Sequence, residues 1–504
     1  MSLIDGNWHR LHPATPLLKG GIALIAILGI VIVNLRDVLI ELVIGGSGRS
    51  GGEGELLTWI VENGLLGLAL LAITVGLLLF ITGLYLSWRM HSFRITDEVV
   101  EVRSGILFRT NRKGRLDRIQ GINIVRPFFA RLFGAAKLEV NVAGQDANVQ
   151  LSYLSSVNAD ALRGEILRLA SGTQVAVAAV AAPTGPVGTL IEKRVAELLA
   201  PERDPDAAPP QSVVTMHLGR LIGSLVLSSF TVVLVLVIVG AIVGAASTGD
   251  LRFLAGFIIP IIGMGGYYIS KFTRSLRYSI AGTPDGVRVG FGLLSTSNET
   301  LPPGRIHSVQ VNQPLLWRAA GWWEIKINRA STSSASGAAG QANTTILPVG
   351  NLTDARRVLE LVLPGMVDEE SILLLERGLL SSGGDDGFVN SPRRAAAIRW
   401  FSWRRNGFVI TPEAVLLRRG AIWRQLVIVP EARIQSVAIH QGPLLRLLGL
   451  ASLRVHTVAG PIEAELGAVD REAAVRFFGD LADAAVASGN TDTSHHWRSP
   501  GATA

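Results

Sequence analysis

Three arginines recur along this 504-residue chain in the same short context and are the first candidates for chemistry. Each is followed by isoleucine, then by glutamine or histidine, then by glycine or serine, and then by a β-branched residue. A guanidinium group offers five N–H donors in a fixed fork, which suits a lipid phosphate or the carboxylate of a partner protein. The same fork can hold a turn by donating to backbone carbonyl groups. Both interpretations are kept for Arg118, Arg305 and Arg433.

These arginines belong to an internal repeat, because glycines and further arginines keep the same distance from them in all three copies. One glycine lies 13 residues before each arginine, a second lies 16 residues after it, and another arginine lies three residues before the second glycine. Such agreement without gaps indicates three copies of one folding unit. The repeated positions are Gly105, Arg118, Arg131 and Gly134, then Gly292, Arg305, Arg318 and Gly321, then Gly420, Arg433, Arg446 and Gly449.

Two stretches rich in arginine and lysine are candidates for contact with a membrane surface. The second stretch also contains tryptophans, which favour the interface between lipid and water. Each basic side chain near an anionic bilayer is worth about 1 kcal/mol. Ordinary enrichment of positive residues beside membrane segments explains the same pattern, so both interpretations remain. The candidate membrane-surface residues are Arg109, Arg112, Lys113, Arg115, Arg393, Arg394, Arg399, Trp400, Trp403, Arg404 and Arg405.

The remaining sequence offers no arrangement typical of an enzyme, a metal site or a cofactor site. The chain has no cysteine, which excludes disulfides, thiolate nucleophiles and cysteine-ligated metals. Nine histidines are scattered, and residues 46–51 match G-x-G-x-x-G without the strand and helix that a nucleotide site requires. The net charge of +7 comes without a nucleic-acid-binding motif. We therefore expect no catalytic residues, no metal, no cofactor and no nucleic acid.

Four long apolar stretches predict four membrane passes arranged as two helical hairpins. A helix of about 20 apolar residues crosses the hydrocarbon core of a bilayer. No charged residue lies in the middle of a stretch, which disfavours a transporter. Arginine and lysine concentrate after the second and fourth stretches, which predicts that both termini and all large soluble segments are cytoplasmic. The stretches are residues 17–35, 65–86, 221–246 and 253–269.

Each repeat is predicted to contain several antiparallel strands followed by one helix. Short runs of apolar and β-branched residues are broken by glycine and proline, and Ser436–His440 alternates between polar and apolar residues. The first repeated glycine follows a predicted strand and suits a hairpin turn that requires positive φ. Each copy then ends in apolar residues at helical spacing, such as Leu162, Ile166 and Leu169.

With these motifs the chain resembles the bacterial membrane-flanked PH-like domain proteins, the YdbS/YdbT-like family of bacterial PH domains. The residues that carry the resemblance are the paired apolar stretches, the repeated arginines and an aromatic-x-Ile-Thr opening such as residues 408–411. The resemblance implies an α+β membrane protein with two transmembrane helical hairpins and three cytoplasmic PH-like β-barrel units, each with a C-terminal helix. The copies differ at Gly121, at His307, in an insertion at residues 331–340, and in the missing hairpin directly before the third copy.

The repeats and the composition between them predict eight segments. The two linkers are rich in small residues, and the C-terminal tail is polar. The segments are an N-terminal transmembrane hairpin (1–89), a first PH-like unit (90–170), an alanine- and proline-rich linker (171–217), a second transmembrane hairpin (218–273), a second PH-like unit (274–364), a flexible linker (365–400), a third PH-like unit (401–487) and a disordered tail (488–504).

Three binding-type β units without convergent catalytic residues favour a non-enzymatic scaffold anchored in the bacterial inner membrane. In this hypothesis the cytoplasmic units bind protein partners or anionic lipid headgroups at the inner leaflet, and formation of a homo-oligomer is left open. The alternative is a component of an envelope-stress, export or resistance system whose transmembrane helices handle a peptide or lipid substrate. Two hairpins for three units favour anchoring over a dedicated pore.

Overall fold

The computed structural model describes most of the chain outside its first apolar stretch, its longest linker and its tail. It divides into two compact units: Met1–Leu116, Ile124–Glu139 and Val149–Arg163 form the first, and Asp117–Asn123, Val140–Asn148 and Gly164–Ala504 the second. The predicted membrane stretch at 17–35, residues 46–51 and the insertion at 331–340 lie outside the described residues, except for Leu18. The described residues are 5–15, 18, 66–105, 109–142, 148–171, 212–249, 255–276, 278–283, 286–292, 296–301, 304–329 and 344–491.

The first repeat contains seven strands, and a long helix lies in sequence between its first two strands. Its elements are β1 (His9–Arg10), α1 (Leu66–Arg89), β2 (Ser92–Ile95), β3 (Val99–Ser104), β4 (Thr110–Arg115), β5 (Ile119–Arg126), α2 (Phe128–Leu132), β6 (Ala135–Val142), β7 (Val149–Ser155) and α3 (Ser156–Ser171). In the first compact unit, β1 to β4 form an antiparallel sheet in chain order. Phe93 pairs with His9 on one side and with Val102 on the other.

The second repeat has the same order of elements, with three helices between its first two strands. Its elements are β8 (Ser212–Thr215), α4 (Leu218–Val226), α5 (Ser229–Thr248), α6 (Ala255–Ser275), β9 (Ser279–Thr283), β10 (Gly286–Phe291), β11 (Thr296–Leu301), β12 (Ile306–Gln313), β13 (Trp323–Arg329), β14 (Thr345–Gly350) and α7 (Leu352–Val362). Asn351 caps α7 in a reciprocal capping box with Asp354.

The third repeat follows a further helix and keeps the strand order without long helices between its first two strands. Its elements are α8 (Glu369–Leu380), β15 (Val389–Asn390), β16 (Gly407–Ile410), β17 (Ala414–Arg419), β18 (Arg424–Pro430), β19 (Ser436–His440), α9 (Pro443–Leu447), β20 (Leu450–His456), β21 (Ala464–Asp470) and α10 (Arg471–Thr491). Between β15 and β16, residues 391–406 form a loop with two short 3₁₀ turns. We call these residues the aromatic loop.

Two predicted linkers contain parts of the repeats. Residues 212–215, expected in the alanine- and proline-rich linker, form β8 and pair with β9. Residues 365–400, expected to be flexible, contain α8 and β15, and β15 pairs with β16. Glycine and serine at residues 381–387 favoured a flexible linker. That prediction is wrong because Asp386 is held by an ion pair with Arg418 at 2.5 Å.

The second and third repeats share one continuous sheet inside the second compact unit. Its order is β14-β13-β12-β18-β17-β16-β15, so the last three strands of the second repeat continue into the first four of the third. The joining pair is antiparallel, with Val309 opposite Ile428 and Val311 opposite Leu426. These four side chains are fully buried. Apolar burial on this scale ties the folding of the two repeats together.

Two apolar clusters form the core of the second compact unit. The larger contains side chains from both the second and third repeats, including Trp323, Val358 and Leu416. The smaller lies within the third repeat and includes Phe408 stacked edge-on against Phe477 of α10. The C-terminal helix α7 therefore buries its predicted apolar positions, and α10 buries Ala474 and Phe477 but leaves Phe478, which has the same predicted spacing, 42% exposed.

Among the described residues, one helix, α5, is long and apolar enough to cross a membrane, judged by length and composition. Thr74–Arg89 within α1 is a shorter apolar helix. The third predicted membrane stretch begins too early, because α4 ends at Val226 and Ser228 caps the start of α5. Instead α4 packs on the second repeat, where the indole N–H of Trp317 donates to the Ser224 carbonyl oxygen. Four membrane passes stay a prediction.

The turn at Gly420 provides a test of how tightly the repeated hairpin is built. Gly420 has φ of +78°, and an added Cβ would lie 2.0 Å from the Trp423 carbonyl oxygen. We expect Gly420→Ala to lower the free energy of unfolding by about 2 kcal/mol or more, because both the left-handed backbone and the contact oppose a side chain. Thermal unfolding of the purified full chain in detergent measures this.

Gly479→Ala is the matched control for that substitution. Gly479 lies in α10, and an added Cβ there would meet no atom within 4 Å. Because alanine favours a helix, this variant should unfold at the same or a higher temperature than the unaltered chain. Equal destabilisation by both substitutions would contradict the proposed role of the turn.

Candidate functional site

The six repeated glycines share one conformational property. All six have positive φ, between 60° and 106°. Three directly follow the third strand of their repeat. The other three follow the short helical turn that comes after the repeated arginine motif. Their repetition therefore reflects the geometry of turns, and the glycines build the frame on which the repeated arginines are placed. They are Gly105, Gly292 and Gly420, and Gly134, Gly321 and Gly449.

The first repeated arginines lie where one strand ends and the next begins. Arg118 is exposed at the end of a 3₁₀ turn, whereas Arg305 and Arg433 are half-buried. Burial first, and then the positive charges of Arg433 and Arg305, lower the pKa of His307 to about 4. The pairing of β12 with β18 thus brings two repeated arginines close to one imidazole. Two positive charges at this place favour the binding of an anion. The arrangement is equally compatible with a role for the arginines in holding turns.

The second set of arginines differs between repeats in its surroundings. Arg318 donates from Nη2 to the carbonyl oxygens of Ala421 and Ile422, at 2.8 Å for the latter. It therefore fastens the second repeat to the β17–β18 hairpin of the third. Arg446, the equivalent residue of the third repeat, is exposed. Arg131, in the first repeat, is half-buried and makes polar interactions.

Arg405 is not a membrane-surface residue, contrary to the sequence-based prediction. Its side chain is only 3% exposed, and burial lowers its pKa to about 9, which leaves it charged at neutral pH. The guanidinium group donates to backbone carbonyl oxygens at the end of α8 and in the β17–β18 hairpin. These acceptors are Gly378, Leu379, Ser381, Arg419 and Gly420. Arg405 thus replaces water as the partner of five carbonyl groups and holds these segments together.

A buried polar cluster beside Arg405 was missed by the sequence analysis. Arg418 is fully buried, lies over the Phe388 ring at 4.3 Å and donates to Asp386 and to Asn390. Burial alone would raise the pKa of Asp386, but the hydrogen bonds from Arg418 and Ser381 outweigh it and hold the pKa below its usual value. An arginine inside the apolar run Ala414–Arg419 is the one sequence signal that could have revealed this cluster.

The aromatic loop presents large apolar side chains to its surroundings. Trp400 is 76% exposed and Phe401 49% exposed, and their rings meet edge to face at 5.0 Å. Trp403 is half-buried, with the Arg404 guanidinium 5.4 Å from its ring centre. Arg393 is also exposed. The exposed aromatic pair therefore has basic side chains beside it in the same loop.

Two other arginines of the aromatic loop are tied to the third repeat. Arg394 forms an ion pair with Asp470 and donates to the Gly449 carbonyl oxygen at 3.2 Å. Arg399 is half-buried, and its guanidinium lies close to Gly467. These contacts hold the loop on the sheet that contains β20 and β21. The aromatic pair is thereby presented from an anchored base.

The four basic candidates of the first repeat lie in or just before β4. Arg109, Arg112, Lys113 and Arg115 are all exposed. Lys113 also pairs with the buried carboxylate of Glu101 at 2.6 Å. Its hydrogen bond is the largest influence lowering the pKa of Glu101. Strand β4 is thus a basic strand at the end of the sheet that contains β1 to β4.

Within the described ranges, no group of three or more histidine, aspartate or glutamate residues is arranged to hold a metal ion. His440 and His456 are both exposed and lie at opposite ends of the β19–β20 pair, opposite Ser452 and Ser436 respectively. The polar features that stand out are the arginine contacts between repeats and the exposed aromatic loop.

His307 predicts a specific dependence of stability on pH. Its pKa of about 4 in the folded chain lies below the ordinary value of 6.5, so the unfolded chain takes up a proton first as the pH falls. Stability from this group is present above pH 6.5 and is lost between pH 6.5 and 4. We expect His307→Gln, which copies Gln120 and Gln435 of the other repeats, to reduce that loss by about 2 kcal/mol at pH 5, because pH 5 lies about 1.5 units below the ordinary pKa.

Melting temperatures of both proteins at pH 7.5 and pH 5 measure this difference. Other groups, such as Asp386, take up protons to the same extent in both proteins. The quantity that reports on His307 is therefore the difference between the two proteins in the stability that each loses on acidification. Identical losses of stability on acidification would show that His307 does not titrate in this window.

The geometry agrees with the comparison to known families. A family described as the bacterial PH domain matches three times, at residues 40–170, 223–366 and 384–485. No curated protein and no solved structure is significantly similar to this chain. Each match covers one repeat from its second strand onwards and also takes in residues before that strand, including the aromatic loop in the third, whereas β1 and β8 lie outside the matched ranges. Since they span more than half of the sequence, the chain belongs to the bacterial PH domain family.

Proposed function

We propose that this protein is a non-enzymatic, membrane-anchored scaffold whose third repeat docks on anionic lipid headgroups through the aromatic loop. PH-like domains suggest a binding or scaffold role in general. In the proposal the repeats lie on the cytoplasmic side of the bacterial inner membrane and bind partner proteins there. The exposed Trp400–Phe401 pair is the observation that carries the docking step.

The position of the aromatic loop in the fold supports this proposal. In the first repeat, α1 lies in sequence between β1 and β2, and in the second, the apolar helix α5 lies between β8 and β9. In the third repeat the aromatic loop occupies that same place, between β15 and β16. One end of the repeated unit is therefore the membrane end in the proposal. In the third repeat the aromatic loop then takes the place of an inserted helical hairpin and contacts the membrane surface.

The side chains of the loop fit such a contact. Tryptophan and phenylalanine gain free energy at the interface, where the rings leave water while their neighbours stay solvated. Arg393 and Arg404 are exposed beside them and can face lipid phosphates. Each is worth about 1 kcal/mol at an anionic surface, so the loop alone binds weakly and reversibly. Weak binding suits a repeat that is already tethered through the second repeat.

Fluorescence quenching can test the docking step, because the chain has no native cysteine. We expect a fluorophore on Ala397→Cys, an exposed position of the aromatic loop that leaves Trp400 and Phe401 in place, to be quenched by spin-labelled lipid when the full chain is reconstituted into vesicles containing phosphatidylglycerol. Replacing both Arg393 and Arg404 by glutamine should weaken docking by about 2 kcal/mol, or roughly 30-fold, because two headgroup contacts are lost.

Ala459→Cys is the control position for this experiment. Ala459 is exposed and lies beyond the far end of β20, roughly 20 Å along the strand from Gly449, which Arg394 of the loop contacts. Quenching at Ala397→Cys but not at Ala459→Cys would support docking. Equal quenching at both positions, or none at Ala397→Cys in anionic vesicles, would refute it.

A further inference from the structure

Consecutive repeats are joined in one way at both junctions of the chain. The fifth strand of one repeat lies beside the fourth strand of the next. At the second junction β12 pairs with β18. At the first, within the second compact unit, Gly121 of β5 lies against the Thr300 carbonyl oxygen, and Ser297 donates to Asn123 at 2.6 Å. The sheet order places β5 next to β11 accordingly.

This rule leaves one strand unused at each end of the series of repeats. Strand β4 is the fourth strand of the first repeat and ends its sheet among the described residues, as β19, the fifth strand of the third repeat, does in another sheet. Both are more exposed than their equivalents. Every residue of β19 is exposed or half-buried, whereas β12 is almost wholly buried, and every residue of β4 except Gly114 is exposed, whereas β18 is mostly buried.

We propose that β19 of one molecule pairs antiparallel with β4 of a second copy of this chain. The pairing repeats the junction already made within the chain, so the register follows from the repeated arginines. Val311 lies opposite Leu426 at the known junction. The equivalent residues are Ile439 in β19 and Asn111 in β4, and these should lie opposite each other between two molecules.

Arg446 supplies a second contact of the same kind. Its equivalent Arg318 donates to the carbonyl groups of the hairpin that follows Gly420. The equivalent hairpin of the first repeat is formed by β3 and β4, where Ser104 lies opposite Thr110, and Gly105 shares the positive φ of Gly420. Arg446 is exposed and is therefore placed to contact the β3–β4 hairpin of the next molecule.

The polar character of β4 is compatible with this pairing. Strand β11 is also polar, with Thr296, Ser297 and Asn298, and yet it lies beside β5 in a sheet and is mostly buried. The basic side chains of β4 discourage pairing with arbitrary strands, as charged edge residues do in other sheets. A partner that also offers the Arg446 contact and the correct register overcomes this barrier.

The proposed contact is heterologous, because each molecule offers one β4 and one β19. Such head-to-tail contacts give closed rings or open chains rather than isolated dimers. In a membrane, an assembly of this kind would place many aromatic loops and partner-binding surfaces side by side. The scaffold would then act by multivalency. The inference goes beyond docking and does not depend on it.

Cysteine cross-linking between differently tagged full-length chains in native membranes tests the register. One chain carries Asn111→Cys and the other Ile439→Cys, and no native cysteine competes. Directly opposite residues have Cβ atoms about 5 Å apart, close enough for a disulfide. We expect the mixed disulfide to form at least tenfold faster than between Asn111→Cys and Ala459→Cys, which reports random collision.

A charge reversal tests the second contact. Arg446→Glu should lower the cross-linking rate at least tenfold and reduce the mass of the detergent-purified assembly. Arg476→Glu makes the same charge change at an exposed position of α10 and should leave both unchanged. Thermal unfolding of the two variants checks that each still folds.

Three results would overturn the proposal. The first is cross-linking at Asn111 and Ile439 no faster than in the Ala459 control. The second is a dominant disulfide between two Ile439→Cys chains, which would indicate a symmetric contact. The third is capture of Ile439→Cys by a different protein at the expense of the mixed disulfide, which would show that β19 serves another partner.

Discussion

The antiparallel pairing of β12 with β18 is the interaction on which the arrangement of the second and third repeats depends. It buries Val309, Val311, Leu426 and Ile428 completely and makes one sheet out of parts of two repeats. A strand left at the end of a sheet exposes unpaired N–H and C=O groups, and each repeat would otherwise have two such strands. Pairing between these repeats therefore satisfies the N–H and C=O groups of strands that would otherwise lie at exposed edges.

This constraint explains where the buried arginines lie. Arg318 and Arg405 both donate to carbonyl groups of the β17–β18 hairpin, one from the second repeat and one from within the third. A hairpin at a junction has carbonyl groups that neither sheet can satisfy. A guanidinium fork satisfies several at once, at the cost of burying its charge, and for Arg405 this burial lowers the pKa to about 9.

The same constraint leaves one place in each repeat free to vary. The connection between the first two strands lies outside the paired junctions, and it holds helices in the first two repeats and the aromatic loop in the third. Strand pairing keeps the two ends of this connection together whatever its length, because β1, β8 and β15 each pair with the strand that follows it. Attachment to a membrane can thus be added to a repeat without altering its sheets.

Much of this organisation could be predicted from residues alone. The distances of Gly105, Gly292 and Gly420 from the repeated arginines identified three copies of one unit, because positive φ admits little besides glycine and local geometry is written in local sequence. Strand and helix periodicity likewise predicted antiparallel strands with a closing helix in each copy, since that pattern depends only on which face is buried. The family followed from the same motifs.

Sequence reasoning failed where the outcome depends on distant partners. Arg405 lies in a basic, tryptophan-containing stretch that is typical of a segment in contact with a membrane surface. Its side chain instead donates to carbonyl groups of α8 and of a hairpin about 15 residues further along the chain. Residues 381–387 have the composition of a flexible linker, yet hydrogen bonds from Arg405 and Arg418 hold them in place. The packing of α4 on the second repeat likewise involves Trp317, nearly a hundred residues away.

By itself, then, the sequence determined the number of repeats, their local elements, the apolar stretches and the absence of cysteine chemistry, because all of these are properties of neighbouring residues. The tertiary structure decided which strands of different repeats pair and which strands remain unpaired at the edges of the sheets. It also decided which arginines are buried and hydrogen-bonded to backbone carbonyl groups and which stay exposed. Hydrogen bonds and burial between segments far apart in the chain settle those questions, and no local pattern encodes such contacts.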